Sequence, residues 1–343
     1  MLYVGLDAHA RSFALCILNG EGQLVKRMQM QGRSGELKTQ LLKLQEPFSI
    51  CYEASCGYGY LYDQLRPLAH RIVVAHPGHL RLIFRSKRKN DRLDARKLAT
   101  LLLLDAVPAV HVPSVDVRSW RCLIEFRTRI IAKRTRVKNA IRSLLRHHGH
   151  VAPGGHSLWT NRGLAWLAHV ALPTRAAMIQ RDLLVDELTY MKQQLRRVEQ
   201  ELNEQGRVHP GVQLLQTIPG VGPRTSEAVV AYLDDATRFA RNKQVGAYVG
   251  LVPSQNQSAD KNRLGRITRQ GPASVRRLLV EAAWQSIRRS SHVRSYFENI
   301  QRQDTERKKI AVVATAHYLV RVMQAMLRTG EAWRWSAPDN KAA

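Results

Sequence analysis

Acidic residues are in short supply in this 343-residue chain: 27 Asp and Glu stand against 54 Lys and Arg, a formal charge of +27. A surplus of that size implies a polyanionic partner or a membrane surface. The membrane is disfavoured, because no apolar run reaches spanning length and the opening "MLYVGLDAHARSF" lacks the layout of a signal peptide. Cysteine is also scarce. Cys16, Cys51, Cys56 and Cys122 contain no Cys-x-x-Cys pair and make no disulfide framework, which points to a reducing, cytoplasmic setting. Internal repeats and low-complexity segments are missing, and the bases are spread over most of the chain rather than gathered in a tail. Nucleic acid is therefore the expected partner.

What is present begins with alternation. "LYVGLD", "FALCIL" and "QLVKRMQM" read as three strands, with "NGEG" as a turn, and "SGELKTQLLKLQ" reads as a helix capped by Ser34. "FSICYE", "YLYDQLRPLA", "RIVVAH" and "DRLDARKLATLLLL" continue as strand, helix, strand and helix. The order β-β-β-α-β-α-β-α fits a ribonuclease-H-like (RuvC-like) α/β domain over residues 1–112. A long basic helix is expected after Pro113, then a Gly/Pro/His-rich break, then a helix with apolar residues at Leu184, Leu188, Met191, Leu195, Val198 and Leu202. That heptad seam makes 113–205 a long-helix or coiled-coil region, and it fits an antiparallel pair within one chain as well as a dimer coiled coil. Residues 206–343 read as a mainly helical domain interrupted by a polar loop, "PSQNQSADKNRLGRITRQGP".

Two constellations could carry chemistry. Asp7 ends the first strand and Glu53 the fourth element of the sheet, and in a ribonuclease-H-like sheet those strands are neighbours. Asp91 and Asp94, inside the basic stretch "RKNDRLDARKLA", lie three residues apart on one helical face. Acids among bases commonly make solvated ion pairs. Four acids from three segments make sense together only around Mg²⁺ or Mn²⁺, hard cations that take oxygen ligands and clamp a phosphodiester. Arg85, Lys87, Arg88 and Lys89 would hold a nucleic-acid backbone nearby. The second constellation, "TIPGVGPRTSEAVVAYL", has the helix-hairpin-helix pattern, with Gly220 and Gly222 letting backbone N–H groups face a phosphate. His147, His148, His150 and His156 lack acids or cysteines at ligand spacing and read as a polar connector. Ser258 carries no mark of its own.

Taken in order, "VGLDAHARSF", "CYEAS", "KNDRLDARKLA", "LLQTIPGVGPRTSEAVVAYL" and "AYVGLVPSQNQSADKNRLGRITRQGPASVRRLL" resemble the DEDD-type insertion-sequence transposases, the IS one-ten family with its IS eleven-eleven branch. The resemblance covers nearly the whole chain. It implies that Asp7, Glu53, Asp91 and Asp94 bind metal and that Ser258 is the catalytic serine. It further implies RNA-guided strand exchange through a phosphoserine link, with a noncoding bridge RNA as partner. The site would be composite, shared between subunits of a homodimer or homotetramer, in a bacterial, nucleoid-associated protein. Arg263, Arg266 and Arg269, in the basic stretch after the serine, are candidate nucleic-acid contacts. Two departures stand out: Ala259 follows Ser258 where the family commonly has glycine, and the loop after Glu53 runs "ASCGYGY". Two other functions stay open at this point. One is a RuvC-like junction or flap nuclease without a covalent intermediate. The other is a non-enzymatic nucleoid or RNA-binding protein, which would explain the charge but not the ordered acids.

Overall fold

The computed structural model describes residues 1–334 apart from 33, 56, 84–90, 153, 155–156 and 259–260, and of Asp91, Arg92 and Asn262 the backbone alone. The chain divides into two compact units, Met1–Val115 and Asp116–Ala343.

The first unit is built on strands β1 (Leu2–Ala8), β2 (Ser12–Leu18) and β3 (Leu24–Gln31), helix α1 (Ser34–Leu42), β4 (Phe48–Glu53), α2 (Tyr58–Leu65), β5 (Arg71–Ala75), α3 (Pro77–Ile83) and α4 (Asp91–Leu103). The sheet order is β3-β2-β1-β4-β5, with β1 antiparallel to β2 and parallel to β4. This mixed sheet has the strand order and directions expected of the ribonuclease-H arrangement, with short α3 as an addition. Side-chain alternation explains its layers. The even residues Leu2, Val4 and Leu6 of β1 and Ile50 and Tyr52 of β4 pack with Leu37 and Leu41 of α1 and Leu61 and Leu65 of α2. On the other face, Cys51 of β4 and Val73 and Ala75 of β5 pack with Leu98 and Leu102 of α4, and Ala14, Cys16 and Leu18 of β2 pack with Ala95 and Ala99. At Gly5 the helix backbone lies directly on the strand: a Cβ there would come within 1.9 Å of the Ala95 carbonyl oxygen. The edge strand β3 is mostly exposed, and its Lys26 and Arg27 guard it against pairing with another chain.

The second unit comprises α5 (Val115–His147), α6 (Asn161–His169), α7 (Arg175–Val208), α8 (Pro210–Leu215), α9 (Pro223–Leu233), α10 (Asn242–Tyr248), strands β6 (Pro253–Ser258) and β7 (Lys261–Ile267), α11 (Ala273–Arg289), α12 (Ser291–Gln301) and α13 (Lys308–Thr329). Helices α5 and α7 run antiparallel. Trp120 near the start of α5 meets His209 just past α7, Arg127 bonds Glu199 at 2.6 Å, and Leu144 clusters with Ala177. The heptad seam is therefore covered within the chain. Leu188, Met191, Leu195, Val198 and Leu202 are all buried in the core of this unit, together with Ile130, Val137 and Ile141 of α5. One continuous core crosses the region boundary read at 205–206 and takes in α9, α11 and α13. Glu125 ties α5 into it, accepting hydrogen bonds from Tyr232 Oη at 2.6 Å and from Ser274.

Two expectations need correction. The segment Thr305–Thr329 does reach membrane-spanning length, with a mean hydropathy of 1.5. Its Ala311, Val312, Ala316, Leu319, Val320 and Met323 are buried in the core of this unit, which accounts for its apolar character. The stretch read as a polar loop is a β-hairpin, β6 pairing antiparallel with β7. It escaped notice because every residue of β6 is exposed, so no hydrophobic alternation marks it.

Candidate active site

In the first unit, register decides which acids meet. Gly5 pairs with Cys51 and Leu6 with Tyr52 across the parallel strands. Asp7 and Glu53 each follow by one residue, so they stand side by side at the same end of adjacent strands. Being two residues beyond Gly5 and Cys51, both belong to the face that α4 covers. The direction of α4 completes the placement. Its last residue, Leu103, would touch a Cβ on Gly22, in the β2–β3 turn at the opposite end of the sheet. The N-terminus of α4, which carries Asp91 and Asp94, therefore lies toward the end where Asp7 and Glu53 stand.

Glu53 is exposed, while Asp7 and Asp94 are half-buried. His9 Nε2 lies 3.3 Å from Asp7 Oδ2, and Lys97 Nζ donates to Asp94 Oδ1 at 2.8 Å. The Lys97 ammonium offsets the Asp94 charge and so moderates repulsion among carboxylates at that end of the sheet. Asp91 opens α4, but its side chain lies outside the described residues, as do Lys87, Arg88 and Lys89 entirely. Among the described residues, no three His, Cys, Asp or Glu side chains already form a metal-holding group. The donor set is nonetheless chemically suited to Mg²⁺ or Mn²⁺: hard carboxylate oxygens from two adjacent strands and from α4, where the Lys97 ammonium lies against Asp94.

In the second unit, Ser258 is the last residue of β6 and pairs with Lys261; Asn256 pairs with Arg263. Paired residues share a face. The serine hydroxyl thus stands beside a lysine and one pair away from an arginine, all three exposed. Arg266 is exposed further along β7, and Arg269 follows the strand with a left-handed φ of 55°. The hairpin is anchored at its root. Gly250 and Gly271 both have positive φ, and a Cβ on either would come within 2.1 Å of a backbone oxygen of the opposite arm. Arg276 Nη1 then donates to the carbonyls of Val249, Gln270 and Gly271 at 3.1, 2.6 and 3.1 Å.

The two glycines of the "PGVG" turn play different parts. Gly220 has φ 94° and lies against α11, where a Cβ would come within 2.5 Å of the Ser286 nitrogen, so its first duty is close packing. Gly222 caps α9, and a Cβ there would meet nothing within 4 Å. Beside that open helix start lies a groove of about 1000 Å³ lined by Arg127, Arg224, Arg277, Arg288, Arg289 and Lys308. Sequence reasoning missed this basic groove, since its members come from separate helices and no local motif joins them. Beneath it, Glu227 is 1% exposed and paired with Arg224 at 2.9 Å; burial pushes its carboxyl up to about 7.

Comparison with known proteins adds a separate line of evidence. Residues 4–149 match a family model of DEDD transposases of the IS110 type, and residues 212–298 match the model described as transposase IS116/IS110/IS902 family. The transposase for insertion sequence element IS1111A of Coxiella burnetii is 27% identical, over 97% of this chain and 92% of its own length. The transposase for insertion sequence element IS1328 of Yersinia enterocolitica is 25% identical, over 82% of each.

Proposed function

We propose a reaction course for a chain that belongs to the insertion-sequence transposases of the IS110 type, enzymes that recombine DNA. The observation that carries the proposal is the placement of Asp7 and Glu53 side by side at the end of the sheet toward which α4 directs Asp91 and Asp94. These four acids would hold Mg²⁺ or Mn²⁺, whose chemistry when bound is electrostatic stabilisation of charge on a scissile phosphate. Ser258 supplies the nucleophile. Its Oγ attacks phosphorus, its proton is lost to a base or to solvent, and the deoxyribose oxygen leaves as a hydroxyl. The phosphodiester becomes a phosphoserine ester, so no bond energy is lost to water. A hydroxyl of the second strand later displaces the serine and completes the exchange. A serine hydroxyl is a weak nucleophile on its own. Lys261 and Arg263 on its face favour the alkoxide and bind the phosphate oxygens.

DNA phosphates are also held at Gly222 and the start of α9, and by Arg266 and Arg269. Contacts of this kind position the duplex without reading its sequence. Sequence choice is delegated to a noncoding bridge RNA. The working unit is a homodimer or homotetramer in the bacterial cytoplasm, with the acids of one subunit serving the serine of another.

The test is denaturing electrophoresis of the protein with end-labelled element DNA, the flanking noncoding transcript and Mg²⁺. Label should migrate with wild-type protein and not with Ser258→Ala, which still binds DNA. Cleavage by the wild type without any protein-linked label would instead support a RuvC-like nuclease lacking a covalent intermediate.

A further inference from the structure

Helix α5 carries ten Lys and Arg against two acids, Asp116 and Glu125. The bases are not evenly compensated by its antiparallel neighbour. Arg134, Lys138 and Arg142 recur at four-residue steps and so form one stripe, rising about 6 Å per step. Lys192 and Arg196 of α7 face them at the same level. The two lysines sense this crowd directly: burial and the nearby cations Arg134, Arg142 and Lys192 hold the Lys138 ammonium below its ordinary range, and burial with Arg196 and Arg134 does the same for Lys192. Among the described residues, none of the five has a carboxylate partner. Trp159 fixes part of the stripe, with Lys138 Nζ 4.8 Å and the Arg142 guanidinium 5.1 Å from its ring.

Like charges gathered on packed helices destabilise the fold and persist where something else compensates them. A second copy of this chain, itself at +27, is a poor source of that compensation. The substrate of the family is a polyanion. We infer that the paired helices α5 and α7 form a second DNA-binding surface, at which Arg134, Lys138, Arg142, Lys192 and Arg196 grip the phosphate backbone of duplex DNA. The inference rests on DNA as substrate, and it is independent of Ser258, of the four acids and of the groove beside Gly222.

The salt dependence of duplex binding tests it. The full-length protein is compared with an Arg134→Gln, Lys192→Gln, Arg196→Gln variant, and with a Lys26→Gln, Lys38→Gln, Lys43→Gln variant of equal net charge. Each phosphate contact contributes about 0.9 to the slope of log affinity against log salt. The helix variant should lose about 2–3 from that slope, and on the order of a hundredfold in affinity at 0.1 M salt. Its melting temperature should hold or rise, because repulsion is relieved; a merely structural role would lower it. The control should bind almost as the wild type does. An unchanged slope in the helix variant overturns this inference alone, whereas wild-type protein that ignores duplex DNA overturns the DNA reading along with it. Loss of affinity for an RNA duplex but not for DNA would assign the surface to RNA and also contradict the inference.

Discussion

At the acidic end of the sheet, Asp7 and Glu53 stand on strands whose preceding residues are buried on both faces. Ser258 instead ends a strand with every residue exposed, in a hairpin steadied where its roots cross. One candidate site is positioned by a core and the other by a few backbone contacts at a distance. The difference is chemically sensible. Carboxylates sharing a cation must be held against mutual repulsion, which a rigid sheet can do. In the proposed reaction Ser258 must reach a phosphate held by another subunit, and a serine standing clear of its own fold suits that task. In the proposed composite site the acids would be the fixed half and the serine the extended half.

The largest expected effect separates chemistry from architecture at the fixed half. Asp7→Asn should lower DNA cleavage by about a hundredfold or more, the scale of losing one electrostatic stabiliser of a transition state. Its thermal stability without metal should hold or rise, because one of two carboxylates ending adjacent strands loses its charge. Unimpaired cleavage measured on labelled DNA, or a clear drop in melting temperature, would break the comparison.

At the extended half the order reverses, and architecture is the vulnerable part. Arg276 touches neither Ser258 nor the basic residues on its face, yet Arg276→Met removes three hydrogen bonds from a cation to the root carbonyls. A cost of about 2 kcal/mol is expected in chemical denaturation. Hydrogen exchange across β6 and β7 should speed up, and the yield of protein-linked DNA should fall in parallel. Exchange unchanged in the hairpin would show that its root is held by something else.

The last contrast concerns Glu227, whose burial sets it apart from the exposed acid Glu53. In the unfolded chain Glu227 ionises near 4.5, in the folded chain near 7. The folded state thus keeps the proton longer, so stability declines as pH rises from about 4.5 to about 7 and levels off above that. Glu227→Gln should remove this decline. It should change stability at pH 5 by less than about 1 kcal/mol and raise it by about 2–3 kcal/mol at pH 8, as read from urea midpoints. A variant less stable than wild type at pH 8 would mean that the Arg224 pairing outweighs the burial of the charge.

How much of this was legible in the sequence follows the same division. The sheet could be read because Val4, Leu6, Ile17 and Ile50 alternate or run together in short apolar segments, and each acid falls where such a segment stops. Register then needs no further information, since a one-residue slip would turn Asp7 into the core. The seam of α7 was visible as a heptad, but its partner was not. Only the structure shows that α5 and the C-terminal helices cover Leu188 and Leu202. The hairpin carrying Ser258 left no period to read, because polar residues occupy both of its faces. Its serine was found through resemblance alone. The groove beside Gly222 depends on residues far apart in sequence, and although the bases of α5 and of α7 each recur at a local four-residue step, only packing sets the two stripes side by side.

Ser258 carries the central step of the proposed reaction, and one measurement addresses it directly. Protein-linked DNA formed by the wild type is trimmed with nuclease and trypsin, and the modified peptide is fragmented by mass spectrometry. The tryptic peptide spanning residues 244–261 contains both Ser254 and Ser258, so fragmentation must place the nucleotide on one of them. The nucleotide should be found on the Oγ of Ser258, and finding it on Ser254, or on any other residue, would contradict the account.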